Sequence, residues 1–177
     1  MPDPQSTEDS VQDFANMSAA LTGFQPGFLR PFLDPTDLAG TFYKFVIEQA
    51  GQTMMDDLLT AFRAIQFNDP QTIADSLLET ASTPPVSPQG QLCQAIVAMW
   101  YLGSWYPPPF LVNTSLQQVV SSQAYTKGLV WNVAQAHPMG FSAFTFGYWS
   151  QPPASLDNFG VNTANAPVVN QPKGGGQ

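Results

Sequence analysis

Catalysis by an unaided chain needs a titratable or nucleophilic side chain with a neighbour that activates it. Here the inventory is short: one histidine, His137, one cysteine, Cys93, and thirteen acids among 177 residues. His137 precedes Pro138 in a stretch without a nearby carboxylate, so a base role lacks the group that would orient the ring. Packing in a loop accounts for it better. Cys93 falls on an apolar helical pattern, which predicts a buried, inert thiol. A lone cysteine also excludes an internal disulfide framework and a Cys-rich metal site. Gly140-Phe141-Ser142 begins like a nucleophile elbow, but Phe144 stands where the second glycine belongs. A hydrolase built on Ser142 and His137 would still lack a third member and an oxyanion site. Asp56 and Asp57 are neighbours on a helix and point about 100° apart, which suits solvated charges rather than a shared proton or a metal. The glycine cluster at 174–176 has no helix after it to complete a phosphate loop. The expectation is therefore of no catalytic, cofactor-binding or metal-binding residue in this chain.

The elements that would position such groups are read from composition and periodicity. Charged residues make up 10% of the chain, against about 25% in ordinary soluble domains. Prolines number 17 and the net charge is −8. Five scattered cations, Arg30, Lys44, Arg63, Lys127 and Lys173, cannot track a phosphate backbone, so nucleic acid is excluded as a partner. The longest apolar run, Ala95 to Leu102, is far short of the ~20 residues of a membrane span. The first residues, Met-Pro-Asp-Pro-Gln-Ser-Thr-Glu-Asp, lack the basic and apolar regions of a signal peptide.

One mainly α domain of about six helices is expected over 10–153, after a tail at 1–9 and before an extended tail at 154–177 that docks on a partner. Ser10 with Asp13 reads as the start of a first helix that Gly23 ends. Between 24 and 34, prolines break regular structure while Phe24, Phe28, Leu29, Phe32 and Leu33 require something to pack against. Thr36 reads as the cap of a second helix, with Leu38, Phe42, Phe45 and Val46 on one stripe up to Gly51. Thr53 opens a third through Met55, Leu58, Leu59, Phe62 and Ile65. Asp69-Pro70 and Ser87-Pro88 repeat a cap-then-proline device at the starts of the fourth and fifth helices. The fifth is apolar all round, and Pro107-Pro108-Pro109 stops it. A sixth helix is expected from Thr114 to about Gly128, and Leu129 to Val133 fits either helix or strand.

Aromatic side chains crowd two places: Trp100, Tyr101, Trp105 and Tyr106 at the end of the fifth helix, and Phe141, Phe144, Phe146, Tyr148 and Trp149 in the late irregular segment. For Trp100, core and interface readings weigh about equally. Interface centres are rich in aromatics and poor in charge, so these nine residues are the candidate partner-binding set. The alternative is a free-standing periplasmic carbohydrate-binding module in which Trp105, Tyr148 and Trp149 stack on sugar rings.

Ala95-Ile96-Val97-Ala98-Met99-Trp100-Tyr101-Leu102-Gly103 resembles the small subunit of membrane-bound, FAD-dependent sugar and polyol dehydrogenases, the sorbitol, fructose and glucose dehydrogenases among them. Ser18-Ala19-Ala20-Leu21-Thr22-Gly23 and Gly147-Tyr148-Trp149-Ser150-Gln151-Pro152-Pro153 are similar to that family in order and spacing. The resemblance implies a non-catalytic accessory subunit without a cofactor of its own. Its partner would be a large subunit carrying FAD and an iron-sulfur cluster, joined in some complexes by a multihaem cytochrome c. It also implies help with folding and export of the large subunit, and a place at the periplasmic face of the bacterial inner membrane. Two departures stand out. The chain has no Arg-Arg pair for a twin-arginine signal, and His137-Pro138-Met139 stands where many members carry a cysteine.

Overall fold

The computed structural model describes residues 4–80, 86–109 and 114–140. Among these the chain is mainly α, with eight α-helices and one two-stranded antiparallel ribbon. Helix α1 spans Pro4–Thr22 and carries Val11, Phe14, Ala15, Met17 and Ser18 into the interior. It starts six residues before Ser10, which is therefore an interior position rather than a cap. Gly23, at φ +79, closes the helix by donating its N–H to the carbonyl of Ala19 at 2.9 Å. A short α2, Pro26–Leu29, follows where sequence reading expects only broken loop. Phe24 and Leu29 are buried there, so that part of the 24–34 segment does pack.

Helix α3, Leu38–Ala50, is capped by Asp37 rather than Thr36: the Asp37 carboxylate accepts from the Gly40 N–H at 3.1 Å. Gly51, at φ +88, is at once the end of α3 and the start of α4, Gln52–Ile65, so the two helices join without a loop. The apolar stripes bury Phe42, Tyr43 and Val46 from α3 and Met55, Leu58, Leu59 and Phe62 from α4. Helix α5, Pro70–Leu78, is capped by Asp69 through the Thr72 N–H at 3.0 Å, and α6, Pro88–Leu102, by Ser87 through the Gly90 N–H at 3.1 Å. Both follow the expected cap-then-proline device. The carboxylate of Glu79, at the end of α5, accepts from the N–H and hydroxyl of Ser87. These bonds hold the Glu79 carboxyl pKa below its usual value and fasten α5 to the start of α6.

One helix cannot be drawn from Thr114 to Gly128. A 3-10 turn at Thr114–Leu116 leads instead to strand β2, Gln118–Val119, which pairs with strand β1, Ser104–Trp105. Helix α7, Ser122–Thr126, and helix α8, Leu129–Val133, follow. β-branched Val119 suits the extended backbone, and the strand is held further by the Val120 N–H donated to the Gly103 carbonyl at 3.1 Å. Residues 129–133 are helix. The layout is a helical cluster in which α1 packs against α2, α3, α4, α5 and α6, while α6 meets α3, α5, α7 and α8. Leu92, Cys93, Ala95, Ile96, Met99 and Trp100 of α6 are all buried. The all-round apolar character of α6 is thus met largely within the chain.

Candidate functional site

Trp100 lies at the centre of the core, 2% exposed, with its ring edge-on to Phe42 at 4.7 Å and stacked beside Phe14 at 6.4 Å. It cannot be a surface anchor. Trp105 is likewise 2% exposed and packs edge-on to Phe45 at 6.0 Å. This corrects its placement in an interface, and also the sugar-stacking role considered for it. Tyr101 is half-buried, its ring edge-on to Phe24 at 6.3 Å, and its hydroxyl donates to the carbonyl of Thr22 at 2.9 Å. Burial pushes the phenol's pKa above its ordinary value. Tyr106 is half-buried as well. Phe141, Phe144, Phe146, Tyr148 and Trp149 lie outside the described residues, as does the expected tail at 154–177.

The hydrogen bond from Tyr101 to Thr22 has a consequence for the motifs. It joins Leu21-Thr22-Gly23 to Trp100-Tyr101-Leu102-Gly103 across 79 positions of sequence. Gly103 completes the arrangement. Its φ of +64 ends α6, and a Cβ there would meet the backbone of Ala124 and Tyr125 at 2.5 Å. Only glycine satisfies both the left-handed turn and the close approach of α7. These residue types at these positions are explained by packing before any ligand or partner is invoked.

Ser142 lies outside the described residues; the other candidates for chemistry are described. The Cys93 thiol is buried, and its pKa is pushed up to about 12, chiefly by burial and further by the negative charge of Glu79. His137 is half-buried with Nδ1 3.1 Å from the carbonyl of Pro138. Asp56 and Asp57 are exposed. Among the described residues no three metal-ligating side chains gather, and no helix is long and apolar enough to cross a membrane.

What the surface offers instead is bare apolar side chains. Phe32 is 100% exposed, Leu33 84%, Phe67 94% and Met139 78%. Phe32 and Leu33 form the tip of the segment between α2 and α3. Phe67 projects from the turn between α4 and α5. Two clefts open beside these turns, and α2 contributes to both. One, of about 320 Å³, is lined by Ala20, Phe24, Pro26, Phe62, Gln66 and Asn68, next to Phe67 in the chain. The other, of about 310 Å³, is lined by Phe28, Pro31, Asp34, Trp100, Lys127 and Leu129, next to Phe32 and Leu33. Sequence reading places the apolar residues of the 24–34 segment in contact with something, which holds for Phe24 and Leu29 but not for the tip. The signal that could have separated them is the bracket of Pro31 and Pro35, which holds Phe32 and Leu33 in a projecting turn.

No family model, no curated protein and no solved structure matches the chain. Among the described residues the arrangement is a helical cluster with Trp100 and Trp105 turned inward and several large apolar side chains turned out.

Proposed function

We propose that this chain is a non-catalytic accessory subunit that binds and stabilises the FAD-containing catalytic subunit of a membrane-bound sugar or polyol dehydrogenase, and assists that subunit's folding and export. The observation that carries the reading is the set of bare apolar side chains, Phe32, Leu33 and Phe67, the three most exposed large hydrophobic residues among those described. Single exposed residues are ordinary in a monomer, but two phenylalanines with almost complete exposure offer anchors of the kind that dominate protein interfaces. The family resemblance supplies the identity of the partner. FAD, the iron-sulfur cluster and haem c would belong to partner subunits, the last in a multihaem cytochrome c, and the complex would sit at the periplasmic face of the inner membrane.

Co-expression with the large FAD-binding subunit tests the proposal. The two chains should co-elute with flavin absorbance, and the yield of flavin-loaded large subunit should rise severalfold when this chain is present. Separate elution with an unchanged flavin yield would sink it.

A further inference from the structure

The segment that carries Phe32 and Leu33 is fastened at both ends. On one side Arg30 pairs with Glu8 and donates to the Gln12 side-chain carbonyl at 2.8 Å, both on α1. On the other, the Asp34 carboxylate accepts the Thr36 N–H at 2.9 Å, the Thr36 hydroxyl at 2.5 Å and the Leu38 N–H at 3.3 Å. Lys127 reaches in from beyond α7, 3.7 Å from Asp34 and 2.8 Å from the Thr36 hydroxyl. Pro31 and Pro35 stiffen the intervening backbone. Between these anchors Phe32 and Leu33 stand free of the fold, 100% and 84% exposed. An apolar tip that is already ordered loses little conformational entropy when it is covered, which is the economy of a preorganised binding element.

Resting on the accessory-subunit reading above, we infer that the Phe32-Leu33 tip is the insertion element of the interface and fills an apolar pocket, with a neutral to basic rim, on the catalytic subunit. Charge decides among the possible occupants. The two cations beside the tip, Arg30 and Lys127, are already paired with Glu8 and Asp34, and the chain carries a net charge of −8. Neither cation is left to attract an anionic lipid surface, which a membrane-inserting loop would ordinarily use. A second copy of the chain would bring another −8 to the contact. A protein pocket with unpaired cations at its rim is complementary on both counts. Phe32 and Leu33 together offer roughly 300 Å² of apolar area, taking about 150–250 Å² for an aromatic side chain. That suits the centre of a standard interface of about 800 Å² per partner rather than a whole interface.

The test uses the full chain with a photo-crosslinking phenylalanine analogue at position 32, co-expressed with the FAD-binding subunit, alongside the double variant F32D/L33D. Irradiation of the purified complex should link position 32 to the flavoprotein. The double variant should keep its helical circular dichroism and melting temperature, because both side chains are in solvent, while its Kd for the flavoprotein rises about thirtyfold or more, the threshold of an interface hot spot. A complex that forms normally, with no crosslink at position 32 and an unchanged Kd for the double variant, overturns this inference and leaves the accessory-subunit reading intact. Crosslinks to a second copy, to another part of the same chain, or to phosphatidylglycerol vesicles in place of the flavoprotein overturn it too. Absence of any complex overturns both.

Discussion

Replacing Trp100 tests the assignment of the aromatic motif to the core. The indole is 2% exposed and wedged between Phe42 and Phe14, so truncation to alanine removes nearly its whole buried surface. Taking about 200 Å² for that surface and about 25 cal/mol per Å² gives ~5 kcal/mol. One term opposes it. The indole N–H is buried without a hydrogen-bond partner, and deleting it relieves about 1–3 kcal/mol of desolvation cost. The net expectation for Trp100→Ala is a loss of about 3 kcal/mol, a large fraction of the stability of one domain. With a urea m-value of about 2 kcal/mol/M, the unfolding midpoint should fall by about 1.5 M at an unchanged slope. Trp100→Phe separates the two terms. It keeps an aromatic ring against Phe42 and removes the unpaired N–H, so its cost should stay under about 1 kcal/mol. Urea titrations followed by far-ultraviolet circular dichroism give both numbers. If Trp100→Phe proves as damaging as Trp100→Ala, the offset assigned to the N–H is wrong; if Trp100→Ala leaves the midpoint in place, the core assignment is wrong.

Further outcomes follow from the same geometry. Gly103→Ala places a Cβ 2.5 Å from the backbone of α7 at a positive φ, so the melting temperature should drop by more than a single lost methylene would cause, with a loss of about 2 kcal/mol or more. Cys93 should react with a disulfide reagent such as dithionitrobenzoate only at the rate of unfolding, since its thiol is buried and its pKa stands at about 12; rapid reaction in the native state would contradict that burial. Asp34 carries a pH dependence. Burial alone would raise its pKa, but the bonds from Thr36 and Leu38 and the charge of Lys127 together hold it below the usual 3.8. A carboxylate held low in the folded state stabilises at every pH above its unfolded value and loses that contribution as pH falls through the folded one. The melting-temperature difference between wild type and Asp34→Asn should therefore be level from about pH 7 to 5 and shrink below about pH 3.8; a gap that widens in acid would refute the assignment.

Helix starts were legible where the sequence carries a local device. Asp69-Pro70 and Ser87-Pro88 each combine a side-chain acceptor with a proline that needs no donor, and both mark true starts. The start of α1 was not, because periodicity records only residues that face the core. Val11 is the first of these, while the polar residues before it are helical without leaving an apolar trace. The span from 114 to 128 failed for another reason. Its apolar residues fit a helical stripe, but pairing with Ser104 and Trp105 satisfies the backbone at Gln118 and Val119 instead, and partners 13 and 15 residues away in the chain are invisible to a local pattern. The aromatic excess was counted correctly and aimed wrongly for Trp100 and Trp105, since composition does not say which way a ring points. Phe32 and Leu33 show the converse: two residues that look like core material in a list are the most exposed part of their segment.

The bond between Tyr101 and Thr22 also sets a timetable. Helix α1 is made before α6, yet it packs against it, and its last carbonyl waits for a hydroxyl that lies 79 residues later in the chain. At about 5–20 residues per second, translation leaves that helix without its far neighbour for roughly 4–16 seconds. Throughout that interval the nascent chain presents Phe14 without the Trp100 ring that stacks beside it. The face of α1 that meets α6 is therefore completed only after the intervening helices have been made.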